Sequence, residues 1–384
     1  MNQLTISPND FPAVEKCTYI NAANVALMYR GASEAIVAWQ EDVAENGSNN
    51  FDEAAEEAVF FGLHEAGARL FNASPADIAG GSSATDLLSS LAWAVIPGAG
   101  TNVVSADIAF PTAVYPWARI ANHTGCEIRL APAVNGYVDP DALRSLIDDN
   151  TAVVSLSHVE FRSGQLYDLT AFADIAHAHG ALLVVDATQS AGAVPIDATG
   201  DGVDAVIAGG YKWLCGPFGA ALMYLAPHLH TVLEPGLVGY RSNAEIWNFD
   251  AKRIDYAEDA SRFEFSTMAY GCAVGLTVAI EYLNDAGIDN IFAHNQVLAD
   301  KLIEGLESRG VTVTSPQSAE ERCAIVTAQF PGRDPAVVTQ RFKEAGVMVA
   351  CRQDVVRFSP HLYNKIDDIG VALACVDEII SSVV

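Results

Sequence analysis

From about residue 55 to residue 225 the chain switches repeatedly between two patterns, and that switching limits its fold more than any other feature. Runs rich in β-branched and small apolar residues read as strands: TNVVSAD (101–107), CEIRLAP (126–132), TAVVSLSHV (151–159), ALLVVDA (181–187), AVIAGG (205–210) and GAALMYL (219–225). Amphipathic stretches such as PDALRSLIDDN and DLTAFADIAHAHG lie between them, and the second stops at Gly180, a helix-ending residue. Apolar strands alternating with helices predict an α/β fold with a mainly parallel sheet covered on both faces.

After about residue 250 the texture changes. TVAIEYLNDAG and IDNIFAHNQVLADKLIEGLESRG read as helices, the latter closing at Gly310. VTVTS, CAIVTAQF, the helix DPAVVTQRFKEAG, VMVA, DVVRFS and a last helix from about Ile366 follow, a compact α+β module. A chain of 384 residues is long enough for two such units. The expected division is a large domain over 15–250 and a smaller one over 251–384 that also takes in 1–14.

The formal net charge of −27 argues against nucleic acid or an anionic membrane as partner, since both require clustered Lys and Arg. An anionic ligand would need a local positive site. The seven cysteines include no C-x-x-C pair, so no zinc site is expected, and their scatter fits a reducing compartment. MNQLTISPNDF has no basic and apolar leader pattern, and no apolar run reaches membrane-spanning length. A cytoplasmic enzyme is the expectation.

In open α/β sheets, ligands sit at the carboxyl ends of the strands. In AGGSSATDLL, Ser83, Ala84 and Thr85 stand just before an apolar helical run, which suits either an anion site at a helix N-terminus or an ordinary Ser/Thr cap. Asp186 ends ALLVVDA, either as a capped strand end or as an acid facing a ribose, a metal or a cofactor. Phe110 in ADIAFPTAVYPW is a core aromatic or a platform for a ring. Lys212 sits in AVIAGGYKWLCGPFG, an apolar, glycine-rich segment, and desolvation there would lower its pKa toward nucleophilic imine chemistry. A buried amine, an upstream carboxylate and a phosphate cradle are the parts needed to hold pyridoxal phosphate.

VVDATQSAG followed by DAVIAGGYKWLCGPFG closely resembles the class V aminotransferases, a family that includes cysteine desulfurases, kynureninase and isopenicillin N epimerase-like enzymes. YINAANVALM, GSSATDLL, RFEFSTMAYGCAVGL and VVRFSPHLYNKIDDI extend the resemblance over nearly the whole chain. It implies fold type I, with a seven-stranded sheet, and pyridoxal 5′-phosphate as cofactor. By position it makes Lys212 the Schiff-base lysine and Asp186 the partner of the pyridine nitrogen. Phe110 would stack on the ring with Thr188 on its other face, and Gln189 would bond the 3-oxygen. Ser83, Ala84, Thr85 and Tyr211 would hold the phosphate, and Ser266 and Thr267 would reach it from the other subunit of a homodimer. Arg357 would take the carboxylate of an amino acid substrate.

The chain departs from the family pattern in several places. Ser266 replaces the glycine usual before the interface threonine. Tyr211 replaces the histidine of desulfurases and matches kynureninases, which carry histidine where Gln189 stands. Glu160 follows HV where desulfurases often have asparagine, so it either contacts the cofactor or substrate or pairs with Arg162. Cys351, in VMVACRQDVVRFS, lies in an expected strand-turn rather than on a long loop, which weighs against a persulfide-forming desulfurase. The reading that follows is a C–S β-lyase acting on a cysteine-derived amino acid. An aminotransferase, a decarboxylation-linked deaminase and a non-catalytic binding protein of the same fold are the alternatives.

Overall fold

The computed structural model describes residue 4 and residues 6–381; residues 1–3, 5 and 382–384, at the ends of the expected small domain and within the stretch read for a leader, lie outside the described residues. A seven-stranded sheet organises the chain. Its strands are β1 (Ile78–Gly81), β2 (Asn102–Ala106), β3 (Glu127–Ala131), β4 (Thr151–Ser157), β5 (Leu182–Asp186), β6 (Ala205–Gly209) and β7 (Ala221–Leu225). Their spatial order is β1-β7-β6-β5-β4-β2-β3. The pairs from β6 to β3 are parallel, and β7 runs antiparallel to both β6 and β1. All six strands expected from the sequence are present; β1, made of Ile-Ala-Gly-Gly, has too few β-forming residues to announce itself.

Alternate residues of these strands feed two different cores, as the two-residue period of a strand requires. Leu183, Val185, Val206, Ala208 and Leu222 face one core, which also holds side chains of α2 (Phe61–Phe71), α5 (Leu169–Ala178) and α6 (Tyr270–Ala286), with Trp39 of α1 (Arg30–Asn46) packed against it. Val184, Ala205, Ile207, Ala221 and Met223 face the other, shared with α3 (Ala84–Val95) and α4 (Pro111–Thr124). Helices therefore cover both faces. Each fully buried aliphatic side chain contributes roughly 1.5–3 kcal/mol through desolvation.

A third core forms around α7 (Ile288–Glu307), α8 (Pro335–Glu344) and α9 (Ile366–Ser381). These helices pack on a four-stranded antiparallel sheet of β8 (Thr312–Val313), β9 (Val326–Gln329), β10 (Ala350–Arg352) and β11 (Val355–Phe358), in the order β8-β9-β11-β10. Ile20 belongs to this core, and Thr18–Tyr19 pairs in parallel with Val347–Met348, so the N-terminal segment stitches onto the C-terminal unit. The stretch PDALRSLIDDN is helical only over Pro140–Arg144.

Gly164 joins the two units. Its φ is +77°, and a Cβ there would lie 2.3 Å from the carbonyl oxygen of Ile325, so only glycine allows the close approach. Its own carbonyl accepts from the Cys323 N–H at 3.1 Å.

Candidate active site

Three adjacent strands end at one place. Ser157 at the end of β4 pairs in register with Asp186 at the end of β5, which pairs with Ile207 of β6. Three residues beyond β6, the chain turns through Lys212. The turn is clasped at its base, where Gly210 N donates to Ala220 and Gly216 N to Gly210, at 3.0 and 2.9 Å. The carbonyl of Trp213 accepts from His361 Nε2 at 2.9 Å, while its indole donates to Gln189 Oε1 at 2.8 Å. Burial pulls His361 down to about 3, which leaves it neutral with the proton on the nitrogen facing Trp213. Gly192 makes room for this loop: its φ is +89°, and a Cβ would sit 2.5 Å from the Trp213 oxygen.

Lys212 is 6% exposed. Its ammonium stands 5.3 Å from the centre of the Phe110 ring and 5.5 Å from that of Tyr211, and no carboxylate lies within ion-pair distance of it among the described residues. Desolvation lowers its pKa to about 8, against an opposing pull from Asp186; Arg357 and Arg352 lower it further. A sizeable neutral fraction near physiological pH is what a nucleophile or proton acceptor needs. Asp186 accepts from the Thr188 N–H through Oδ1 at 2.9 Å, leaving Oδ2 without a hydrogen bond inside the described protein.

One cavity gathers these groups. Lys212, Asp186, Thr188, Gln189 and Tyr211 line one part; Ser83, Ala84, Thr85, Thr112 and Phe110 line another. Ser83 is the N-cap of α3, its Oγ accepting from Asp86 N at 3.1 Å, so its hydroxyl does the capping. The N–H groups of Ala84 and Thr85 fall in the first helical turn, where no intrahelical acceptor exists. With the helix dipole they form an anion site. Thr85 Oγ1 bonds Thr112 Oγ1 at 2.8 Å, bringing a second hydroxyl that the sequence reading missed. Gln189 spends Oε1 on Trp213 and one Nε2 proton on the Ala23 carbonyl at 3.0 Å, which leaves its second amide proton available. Tyr211 stacks on Phe218, with centroids 4.6 Å apart.

Ser157, Val159 and Phe161 also line the cavity. They are alternate residues, so His158 and Glu160 point to the other side. Phe161, not Glu160, is the residue turned into the site, and its ring meets Phe110 edge to face at 5.4 Å. Glu160 is fully buried. It accepts from the Tyr167 hydroxyl at 3.2 Å, and its Oε2 has no partner. Burial, helped by the charges of Asp186 and Asp107, pushes its pKa up to about 8, so the carboxyl is neutral. Arg162, the expected alternative partner, pairs with Asp354 at 2.6 Å instead.

Arg357 on β11 is 1% exposed. Its Nη1 donates to the Phe161 carbonyl at 2.6 Å, while Nε and Nη2 have no acceptor. Those two form one edge of the guanidinium, the fork that takes a carboxylate in two parallel hydrogen bonds. Burial lowers its pKa to about 9, and it stays charged at neutral pH. Cys351 lies on the paired strand, but Ala350 is the residue opposite Arg357, so Cys351 points to the opposite face of the hairpin.

Ser266 and Thr267 do not line this cavity. Thr267 is exposed, and its hydroxyl lies 3.1 Å from that of Tyr240. Among the described residues no group of His, Cys, Asp and Glu could hold a metal, and no helix is long and apolar enough to cross a membrane.

An anion cradle, a carboxylate, a buried amine and an aromatic wall at the carboxyl ends of a parallel sheet suit pyridoxal phosphate. The unpartnered fork of Arg357 suits the carboxylate of an amino acid. Fold and cavity together define a fold type I enzyme that depends on pyridoxal phosphate. Residues 25–371 match the family model "Aminotransferase class-V", and the chain belongs to that family.

A Bacillus subtilis (strain 168) protein described as the uncharacterized aminotransferase YcbU is 27% identical over 365 residues, 94% of each chain. A probable cysteine desulfurase of Halobacterium salinarum is 30% identical over 302 residues, 73% of this chain and 70% of that one. The solved complex of the cystine C–S lyase C-DES with its product cysteine persulfide has a TM-score of 0.86 at 25% identity, covering 95% of this chain and 98% of that one.

Proposed function

We propose that the protein is a C–S β-lyase that cleaves a cysteine-derived amino acid, working as a homodimer. The observation that carries this reading is the hairpin that bears Arg357. Cys351 sits one residue from Arg352 but on the opposite face, next to a turn only two residues long, and no cysteine lines the cavity among the described residues. A desulfurase needs a thiolate delivered to the substrate sulfur, and none is presented here. Cys215, three residues past Lys212, is fully buried and its thiol is pushed up by desolvation.

The chain's own groups then divide the work. The first-turn N–H groups of Ala84 and Thr85, with Thr85 Oγ1, would hold the cofactor phosphate. Asp186 would hold the proton on the pyridine nitrogen. Phe110 and Thr188 would bracket the ring, Gln189 would donate to its 3-oxygen, and Tyr211 would close the phosphate end. Pyridoxal phosphate, when bound, supplies the electron sink that makes an α-proton removable. The Nε/Nη2 edge of Arg357 would fix the substrate carboxylate. Lys212 Nζ would take the proton from Cα. The electron pair released there expels the sulfur substituent as a thiolate, and water converts the remaining three-carbon unit to pyruvate and ammonia.

Ser266 and Thr267, absent from the cavity of their own chain, are assigned to the phosphate of the partner subunit. A panel of S-substituted cysteines tests the reaction: stoichiometric pyruvate and ammonia are expected. Formation of the intact keto acid would replace the proposal by transamination, and carbon dioxide release would replace it by decarboxylation.

A further inference from the structure

The hairpin carries a second arginine that the reaction above does not use. Arg352 lies opposite Val355, two residues from Arg357, so the two arginines project from the same face of the hairpin as diagonal neighbours. Arg352 Nη2 donates to Asn24 Oδ1 at 2.6 Å and Nη1 to the Cys351 carbonyl at 2.8 Å. Asn24 follows Ala23, whose carbonyl takes the amide of Gln189 in the cavity wall. Arg352 is thus tied to the rim of the site and held on its side.

Neither bond of Arg352 neutralises it. Both acceptors are uncharged carbonyl oxygens, and no carboxylate lies within ion-pair distance of Arg352, Arg357 or Lys212 among the described residues. The chain holds 48 acidic residues against 21 basic ones, and arginines 69, 129, 144, 162, 253, 309 and 322 all have a carboxylate partner. Lys212, Arg357 and Arg352 lie within electrostatic reach of one another, with Asp186 the one acid that pulls on Lys212 and, among the described residues, none of the three cations ion-paired. The α-carboxylate of a substrate answers Arg357 alone.

We infer that Arg352 forms a second anion subsite, and that the preferred substrate is a cysteine derivative whose S-substituent ends in a carboxylate. The inference rests on the lyase reading for its substrate class. The free N–H groups of Arg352 and its half-buried position suit a charge-assisted hydrogen bond to a group that reaches past the sulfur. Repulsion among the three cations is relieved when a doubly anionic side of the substrate enters.

Two measurements on the holoenzyme test this. In the first, kcat/KM is compared for S-(2-carboxyethyl)cysteine and S-propylcysteine. The carboxylated compound is expected to lead by about tenfold or more, chiefly through KM, as for one hydrogen bond to a charged group. Arg352→Gln should abolish that lead and Arg352→Lys should retain part of it. In the second, calorimetry compares binding of glutarate and butyrate, which cannot react. Glutarate is expected to bind more tightly, and Arg352→Gln should remove the difference.

Equal kcat/KM values in the wild type, or a lead unchanged in Arg352→Gln, would overturn the subsite. If neither cysteine derivative is cleaved, the lyase reading fails. The glutarate preference then decides the subsite alone, and equal binding of the two acids would refute it.

Discussion

Arg357 gives one guanidinium nitrogen to the carbonyl of Phe161 at 2.6 Å and keeps the edge formed by Nε and Nη2 without an acceptor. The first bond fixes the plane of the group; the second edge is left for a ligand. The carbonyl belongs to a loop residue that follows β4, so the large sheet itself aims an arginine carried by the small one. Buried donors without partners carry a free-energy cost, and a substrate carboxylate removes it.

Arg357→Lys keeps a charge but loses the planar fork. The expected loss is about 2–4 kcal/mol in kcat/KM, roughly 30- to 1000-fold, for amino acids that retain their carboxylate. Steady-state kinetics read it directly, and a change under threefold would remove Arg357 from substrate binding.

Lys212 shapes stability as well as chemistry. Its folded pKa, about 8, lies below the ordinary value of 10.5, so the folded state binds the proton more weakly. The penalty for burying the charge is fully present below pH 8 and fades as pH rises toward 10.5. Cofactor-free Lys212→Met should therefore exceed cofactor-free wild type by roughly 2–3 kcal/mol at pH 7, with the gap closing by pH 10.5. Denaturant titrations at the two pH values show whether the gap closes; a constant difference would mean that Lys212 is not desolvated.

Glu160 acts with the opposite sign. Its folded pKa is raised to about 8 from 4.5, so its penalty is absent below pH 4.5, grows as pH rises between those values and is complete above 8. Glu160→Gln should match wild type near pH 4.5 and gain roughly 2–4 kcal/mol at pH 8.5. Equal stability of the two proteins at pH 8.5 would place Glu160 in a solvated environment and contradict the buried neutral carboxyl.

Much of this site was legible in the sequence. Lys212 and Asp186 stand at or just past the ends of apolar strands, where a charged residue has few structural uses. The six strands showed themselves because burial on both faces makes them apolar throughout. Phe161 was not legible: the residue after HV drew notice as Glu160, and only the two-residue period counted from Ser157 shows which neighbour turns inward. The role of Cys351 was equally hidden. Its distance in sequence from Arg357 is small, but the face it occupies depends on hairpin register, fixed by the turn at Gln353 with φ +51°. Ser266 and Thr267 line no part of the cavity of their own chain, and within it, among the described residues, Thr267 meets only the hydroxyl cluster at Tyr240.

Subunit mixing tests their assignment. In a heterodimer of Lys212→Ala with Thr267→Ala, one site receives both intact residues and the other neither. Random reassociation of the two inactive proteins should restore about a quarter of the wild-type sites. No recovered activity, with heterodimers demonstrated by mass, would show that Thr267 does not serve the partner's site.

The central claim is that Lys212 is the residue that carries the cofactor. The chain has only five other lysines, at positions 16, 252, 301, 343 and 365. Borohydride reduction of the yellow holoenzyme followed by peptide mapping should find the pyridoxyl label on Lys212 and on none of these. Label on another lysine, or a Lys212→Ala protein that turns over substrate at the wild-type rate, would contradict the account.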